Sequence, residues 1–96
     1  MTDTISLCLI AYNQAPFVNL AVESVLNQSC DPIEVIISDD HSTDDTYSIL
    51  QKYVDSYVGP HRVVLHQNQK NLGLAGNIDQ VHQLASGDII IVAAGD

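Results

Sequence analysis

Hydrophobic residues gather in four short runs along the chain, and each run is apolar over most of its length. The four runs are Ile5–Ala11, Ile33–Ser38, Arg62–Gln67 and Asp88–Ala94. Continuous apolar runs, without regular polar alternation, are typical of strands that are buried on both faces of a parallel sheet. We therefore predict four buried β-strands, of which the third is the most mixed in composition.

Between these runs, apolar residues recur every three or four positions, which is the spacing of an amphipathic helix. The three helical sets cover residues 17–26, 47–57 and 74–85. Pro16 suits the first turn of the first helix, because a helix start leaves the N–H that proline lacks without a partner anyway. Gly87 suits the end of the third helix, because glycine readily adopts the left-handed conformation that closes a helix.

The predicted order β-α-β-α-β-α-β indicates the α/β class, with a parallel sheet covered by helices on both faces, as in Rossmann-like folds. Ninety-six residues allow a single domain, residues 1–96. In open parallel sheets, ligands bind beyond the carboxyl ends of the strands, where the strand order reverses. The segments to search for a site are therefore residues 11–14, 39–42, 67–73 and 95–96.

The segment "EVIISDDHSTDDT" places four aspartates after the second predicted strand. Asp44 and Asp45 have a structural explanation, because Ser42 and Asp45 have the spacing of a capping box at a helix start. Asp39 and Asp40 lie at the strand end itself, where two adjacent carboxylates repel each other unless a partner uses them. They can accept hydrogen bonds from a nucleobase or a ribose, or they can form an Asx-turn. Both interpretations stay open at this point.

A loop with small residues, "NLGLAGN", opens the third predicted helix at Asn71. Small residues let the backbone approach a ligand, and a helix N-terminus attracts anions. The alternative is ordinary loop structure without a ligand. The chain has neither G-x-G-x-x-G after its first strand nor G-x-x-x-x-G-K-[ST], so dinucleotide-binding and P-loop interpretations are weak.

The chain is acidic, with twelve Asp and Glu residues, three Lys and Arg residues and a net charge of −9. This balance excludes nucleic-acid polymers as partners and disfavours an anionic membrane surface. An anionic ligand would need positive charge from helix N-termini, backbone N–H groups or a metal ion. No apolar run is long enough for a transmembrane segment, and the N-terminus lacks a signal-peptide pattern. We expect a cytoplasmic protein in which Cys8 and Cys30 are reduced thiols.

The chain stops at Asp96, directly after the fourth predicted strand. We expect a fragment of a longer protein, because natural domains seldom end at the mouth of a buried strand. Asp96 is predicted to lie on the same edge of the sheet as Asp39 and Asp40. Mg²⁺ or Mn²⁺ commonly takes one or two carboxylates together with substrate phosphates, so Asp96 is a candidate metal ligand. A solvated chain end is the alternative, and spacing does not decide between the two.

Together, these motifs resemble the N-terminal half of family-2 inverting glycosyltransferases with the GT-A fold. "AYNQ" is similar to the family's (P)-T-Y-N, and "SVLNQSCDPIEVIISDDHSTDDT" to its S-[VI]-L-x-Q-[ST] run followed by V-D-D-x-S-x-D-x-T. "NQKNLGLAGNIDQVHQLASGDIIIVAAGD" resembles the family's N-x-G, A-x-G-[DE] and D-x-D motifs in their order. The resemblance covers essentially the whole chain, and the middle run is its most specific part.

The resemblance implies an enzyme that transfers a sugar from a nucleotide-diphosphate-sugar donor to an acceptor hydroxyl with inversion, in polysaccharide or glycoconjugate biosynthesis. It also implies a cytoplasmic location, with the full-length protein either free or peripheral at the inner face of a membrane. The nucleotide-binding residues that it implies are Ala11, Tyr12, Asn13, Asp39, Asp40 and Asn71. Asp40 would contact the base while Asp39 supports the pocket, and Asp96 would hold a divalent Mg or Mn cofactor on the diphosphate.

Two positions depart from the family pattern. Ala94 stands where the family usually has the first Asp of D-x-D, and Ile10-Ala11 replaces Pro-Thr, which removes a hydroxyl near the ligand. The family's catalytic base lies in its C-terminal half, and no residue of this chain matches it. We therefore expect the fragment to carry mainly the donor site and to be inactive alone. The sequence does not specify the sugar, the nucleotide or the acceptor.

Two alternatives fit parts of the pattern. A non-catalytic nucleotide-binding module on the same fold is favoured by Ala94. A receiver-type signalling domain also carries acidic residues at strand ends. It needs an Asp at the end of the third strand, where this chain has "HQNQKN", and a Lys after a fifth strand, so it fits less well.

Overall fold

The structure, a computed structural model, describes residues 4–94, in which four strands alternate with three helices. In chain order the elements are β1 (Ile5–Ala11), α1 (Val18–Leu26), β2 (Glu34–Asp39), α2 (Thr46–Ser56), β3 (Arg62–Gln67), α3 (Gly73–Leu84) and β4 (Ile89–Ala94). The predicted alternation of strands and helices is confirmed, and most of the predicted element ends lie within one residue of those observed.

All four strands are parallel, and they lie in the order β3-β2-β1-β4. The chain moves outward from β1 to β2 and β3. It then returns through α3 and pairs β4 with the opposite side of β1. The strand order therefore reverses between β1 and β4, and this is the position at which the sheet is expected to bind a ligand.

Helices cover both faces of the sheet, as predicted. On one face α1 and α2 pack on a core that includes Leu9 and Ile37, and on the other α3 packs Val81 against Cys8 and Ile36. Successive residues of a strand point to opposite faces, so Cys8 and Leu9 enter different layers and both are fully buried. This double burial explains why the central strands are continuous apolar runs. Of the three helices described, none has the length and apolar character needed to cross a membrane.

The start of α1 differs from the prediction for Pro16. The N–H groups of Phe17 and Val18 both donate to the carbonyl oxygen of Gln14, at 2.9 and 2.8 Å. These two bonds close a turn directly before the helix, which begins at Val18. Pro16 therefore lies in that turn and not in the first turn of α1.

The predicted capping box of Ser42 and Asp45 is wrong. α2 begins at Thr46, and Asp45 precedes it without a side-chain cap hydrogen bond. The Ser42 hydroxyl donates instead to Asp39 Oδ1 at 2.5 Å, a charge-assisted bond to a buried carboxylate. Asp44 serves the helix start, because its Oδ1 accepts from the N–H and the hydroxyl of Thr46 at 2.9 and 2.5 Å.

Glu34 ties three segments together at the amino end of the sheet. Its Oε1 accepts from Ser6 Oγ at 2.8 Å and from the Ser86 N–H at 2.9 Å, and its Oε2 accepts from Ser86 Oγ at 3.0 Å. Arg62 Nη1, on β3, lies 3.7 Å from Oε2. Desolvation alone would raise the pKa of this carboxyl group, but the bonds from Ser86 and Ser6 and the nearby guanidinium outweigh it. The pKa of Glu34 is therefore lowered from its ordinary value of 4.5.

We expect Glu34→Gln to lower the free energy of unfolding by about 1–3 kcal/mol at neutral pH, because hydrogen bonds to a charged acceptor contribute that much. The folded state has the lower pKa, so this stability is present above the unfolded pKa near 4.5. It is lost as the pH falls through the folded pKa. Urea unfolding at neutral and acidic pH measures the difference, with the exposed Asp31→Asn as control. If Glu34→Gln lowered the free energy of unfolding by the same amount in acid as at neutral pH, the charge of Glu34 would not have this role.

The two thiols should react very differently. Cys8 is fully buried and Cys30 is exposed, and both are free. Burial, with a smaller contribution from the charge of Glu34, raises the pKa of Cys8 to about 11. Because the thiolate is the reactive form, we expect a thiol reagent to modify Cys30 in the native protein and Cys8 only after denaturation. Rapid labelling of native Cys30→Ser protein would contradict this expectation.

Candidate functional site

A cavity of about 310 Å³ lies at the carboxyl ends of β1 and β4, where the strand order reverses. The residues that line this switch-point cavity are Ile10, Ala11, Tyr12, Gln14, Asp40, Asn71, Gly73, Leu74, Asn77 and Ala94. Ligand cavities in proteins span about 300–1,000 Å³, so the volume suits a small molecule. A second cavity of about 580 Å³ lies beside His66 and Lys70, at the edge strand β3. It is larger but lies away from the reversal, and the switch-point cavity is therefore the candidate site.

Asp40 follows β2 and is almost fully buried, with 2% of its surface exposed. Its Oδ1 accepts from the Leu72 N–H at 2.8 Å and from Asn68 Nδ2 at 2.9 Å. Its Oδ2 accepts from the Gly73 N–H at 2.9 Å and from Asn71 Nδ2 at 3.1 Å. A carboxylate has about four acceptor positions, and all of them are engaged. Asp40 thus joins the end of β2 to the start of α3.

This carboxylate caps α3. Leu72 and Gly73 are the N-cap and the first residue of the helix, and their N–H groups have no partner inside it. The helix dipole also favours a negative charge at this end. Of the two interpretations of this loop, the structure favours the one without a ligand at the first N–H groups of the helix, because the anion they hold is Asp40 of the same chain. A ligand N–H that donates to Asp40 must replace one of four donors, of which the Asn71 amide is the most distant.

Asp39 is fully buried and serves the loop that follows β2. Its carboxylate accepts from the N–H and the hydroxyl of Ser42, at 2.9 and 2.5 Å, and from Gln67 Nε2 at 3.2 Å. Ser42 Oγ in turn accepts from the Asn13 N–H at 2.9 Å, and Asn13 Oδ1 accepts from the Thr43 N–H at 2.8 Å. Asp39 and Asn13 thus tie the loop after β1 to the loop after β2.

Asp44 joins the same two loops at a second point. Its Oδ2 accepts from the Ala15 N–H at 3.2 Å, while its Oδ1 is bound by Thr46. Desolvation alone would raise the pKa of Asp44, but the hydrogen bonds from Thr46 and Ala15 outweigh it. The pKa is therefore lowered from its ordinary value of 3.8. Three aspartates of this segment, Asp39, Asp40 and Asp44, thus hold loops and helix starts in place.

Buried amides continue from Asp40 into the layer between the sheet and α3. Asn68 Nδ2 donates to Asp40 and also, at 3.1 Å, to Asn77 Oδ1, which accepts Ser38 Oγ at 2.6 Å. Neither Asn68 nor Asn77 was among the predicted site residues. The sequence did carry a signal for Asn77, which lies one turn before Val81 on the apolar face of α3. A polar residue on such a face indicates a buried hydrogen-bond partner.

The switch-point cavity brings together four of the six residues that the resemblance implies for nucleotide binding. The four are Ala11, Tyr12, Asp40 and Asn71. Asn13 and Asp39 do not line the cavity, because their side chains are engaged in the link between the two loops. Their roles in nucleotide binding stay predictions. Ala94, which departs from the family pattern, lines the cavity as well.

The predicted metal ligand, Asp96, lies outside the described residues. Across residues 4–94, no group of three or more His, Cys, Asp and Glu side chains is placed to hold a metal ion. Asp40 is the carboxylate that lines the cavity, and its oxygens are engaged by α3. Ala94 offers no ligand atom on its side chain. The side chains of the described residues at this cavity therefore do not form a metal site by themselves.

Comparisons with known proteins place the chain in a family. A family model described as Glycosyl transferase family 2 matches residues 6–96. The chain is 35% identical over 94 residues to the Escherichia coli protein UDP-Glc:alpha-D-GlcNAc-diphosphoundecaprenol beta-1,3-glucosyltransferase WfaP, covering 98% of this chain and 36% of that protein. It is 40% identical over 73 residues to Escherichia coli chondroitin synthase, covering 76% of this chain and 10% of that protein. The chain thus spans only a minor part of these relatives.

Solved structures share the fold. The mannosyltransferase PcManGT from Pyrobaculum calidifontis, in complex with GDP-Man and Mn2+, matches with a TM-score of 0.89 over 100% of this chain and 28% of that chain, at 20% identity. S. aureus TarS 1-349, in complex with UDP-GlcNAc, matches with a TM-score of 0.79 over 97% of this chain and 26% of that chain, at 25% identity. The predicted α/β fold of the GT-A type is confirmed.

The two aspartates before α2 give a matched pair for measurement. We expect Asp44→Ala to lower the free energy of unfolding by about 1 kcal/mol, the usual contribution of a capping side chain. Asp45→Ala should have a much smaller effect, because Asp45 makes no side-chain cap hydrogen bond. Chemical denaturation at neutral pH measures both. Equal losses would mean that charge near the helix start matters, and not the bonds from Thr46 and Ala15.

Proposed function

The chain belongs to glycosyl transferase family 2, and from this premise we propose that it forms the donor-binding part of a glycosyltransferase. The enzyme would transfer a sugar from a nucleotide-diphosphate-sugar to an acceptor hydroxyl with inversion, in polysaccharide or glycoconjugate biosynthesis. The observation that carries the proposal is the switch-point cavity, which collects Ala11, Tyr12, Asp40 and Asn71 from three separate segments of the chain. We propose a cytoplasmic location for this chemistry.

In the proposed complex, the nucleoside occupies the switch-point cavity. Tyr12 is 44% exposed and lines the cavity, where its ring can pack against a base or a ribose. Asp40 would accept a base N–H in place of the Asn71 amide, which bonds it at 3.1 Å. Asn71 would then be free to bond the nucleoside itself. Asn13 and Asp39 would act by fixing the loops that carry Tyr12 and Asp40.

The diphosphate would need positive charge that the cavity walls do not provide. No Lys or Arg side chain is among the lining residues that the structure describes, and the start of α3 is already occupied by Asp40. We therefore propose a divalent cation, Mg²⁺ or Mn²⁺, held by Asp96 and the phosphate oxygens. The presence of Mn2+ with GDP-Man in the mannosyltransferase of the same fold supports this proposal.

No residue of this chain is proposed as the catalytic base. In the proposed reaction, a base removes the proton of the acceptor hydroxyl, whose oxygen attacks the anomeric carbon while the nucleoside diphosphate leaves. The base and the acceptor site would belong to a longer protein that contains this chain. A non-catalytic nucleotide-binding module is the second candidate, and Ala94 favours it, because a carboxylate is missing where the family usually has one.

Calorimetric titration of the chain with UDP and with GDP, each with and without Mn²⁺, tests the proposed site. Two leucines on different helices provide a matched pair, since Leu74 and Leu20 are both 68% exposed and only Leu74 lines the cavity. We expect Leu74→Glu to weaken nucleotide binding by about tenfold or more, because a new negative charge beside a diphosphate is repulsive. Leu20→Glu should leave the affinity unchanged.

Each outcome bears on a different part of the proposal. Binding that is weakened by Leu74→Glu alone supports the switch-point cavity as the donor site. Equal weakening by both variants would place the nucleotide elsewhere, and a folded chain that binds neither nucleotide would overturn the donor-site proposal. Binding that does not depend on Mn²⁺ would contradict the proposed metal and leave the nucleotide site standing.

A further inference from the structure

Asn68 has every polar group of its side chain and backbone engaged, although it lies in a connecting loop. It is 3% exposed. Its backbone N–H donates to the Asp39 carbonyl oxygen at 2.9 Å, and its own carbonyl oxygen lies 3.0 Å from His41 Nδ1. Its side-chain amide contacts Asp40, Asn77 and His66. The residue therefore connects the ends of β2 and β3 to α3.

The charge of Asp40 fixes the direction of the hydrogen bonds around Asn68. A carboxylate only accepts, so the amide nitrogen of Asn68 must face Asp40 Oδ1, at 2.9 Å. The same nitrogen donates to Asn77 Oδ1 at 3.1 Å. Asn68 Oδ1 then faces His66 Nε2 at 2.9 Å, so this ring nitrogen must carry the hydrogen. Each of the three contacts is thereby a donor meeting an acceptor.

Asn77 is oriented independently by a different contact. Its Nδ2 donates to the carbonyl oxygen of Ser38 at 3.1 Å, which leaves its Oδ1 as the acceptor for Ser38 Oγ and for the Asn68 amide. Two walls of the switch-point cavity, Asp40 and Asn77, therefore meet at one buried amide group. Asn68 itself is not among the residues that line this cavity.

We propose that Asn68 is a positioning residue for nucleotide binding, which acts through the carboxylate of Asp40. The inference rests on the proposed function. Asp40 Oδ1 has two donors, the Asn68 amide and the Leu72 N–H, so removal of Asn68 leaves it with one. Asp40 then keeps three of its four donors, and its carboxylate can shift away from the geometry that a base N–H requires. The acceptor position on Asp40 Oδ1 that the Asn68 amide had occupied would then be open to water.

The test is a double-mutant cycle on nucleotide affinity, with Asn68→Ala, Asp40→Asn and the double variant titrated with whichever of UDP and GDP the wild-type chain binds. We expect Asn68→Ala to weaken binding by about tenfold, in line with the loss of one hydrogen bond to a charged group. The double variant should bind no more weakly than Asp40→Asn alone, because Asn68 acts through Asp40. Gln69→Ala, at the exposed neighbouring position, is the control and should bind like the wild type.

Thermal unfolding and circular dichroism establish that each variant is folded at the temperature of titration. If Asn68→Ala does not fold, Asn68→Ser replaces it in the cycle, since the serine hydroxyl provides a smaller donor at the same site. Where both fold, Asn68→Ser should recover part of the affinity lost in Asn68→Ala, whereas equal binding by the two would contradict the role of the donor.

Additive losses in the double variant would overturn the inference, because a purely structural effect of Asn68 does not depend on the carboxylate of Asp40. Unchanged affinity in Asn68→Ala would overturn it as well. In both cases the wild-type chain binds nucleotide, and the proposed function stands. If the folded wild-type chain binds neither nucleotide, the proposed function fails and the inference fails with it.

Discussion

The buried carboxylate of Asp40 is the interaction on which the candidate site depends. A charge with 2% exposure is tolerated only when it is fully hydrogen-bonded, and Asp40 receives four donors, two of them backbone N–H groups at the start of α3. The helix in turn obtains the cap that its own sequence does not provide, since Leu72 at its N-cap has no side-chain acceptor. These hydrogen bonds between Asp40 and the start of α3 fix the position of the helix over the sheet, and with it one wall of the switch-point cavity.

The alternation of side chains along a strand explains why two adjacent aspartates coexist at the end of β2. Successive residues point to opposite faces, so the neighbours in sequence serve different layers. Asp39 binds the loop that leads into α2, and Asp40 binds the start of α3. Each carboxylate meets its own set of donors, which offsets the repulsion between the two charges.

The same arrangement determines what the cavity can offer to a ligand. A helix start is usually a source of partial positive charge for anions, but here an internal carboxylate already occupies it. The lining residues within the described part of the chain add amides, apolar side chains and one aromatic ring, with no Lys or Arg. These residues can therefore recognise a nucleoside, whereas a bound diphosphate would need positive charge that they do not provide.

The sequence alone determined the α/β fold and the place of the site. Strands that are buried on both faces need continuous apolar runs, so the strands could be predicted from local patterns. The helical segments between these runs indicate parallel strands with helices on both faces, so the architecture could be predicted as well. The position of Asp39 and Asp40 at a strand end, and the family resemblance that runs through "EVIISDDHSTDDT", both point to these two residues. The tertiary structure decided which donors those carboxylates meet. The contacts from Asp40 to Leu72 and Gly73 join residues far apart in sequence. The spacing of apolar residues along the chain does not predict contacts of this kind. Ser42 binds Asp39, only three residues away, instead of forming a capping box, because the tertiary structure decides which of two local partners it meets. Asn68 gave no sign of its role until the ends of β2, β3 and α3 were seen together.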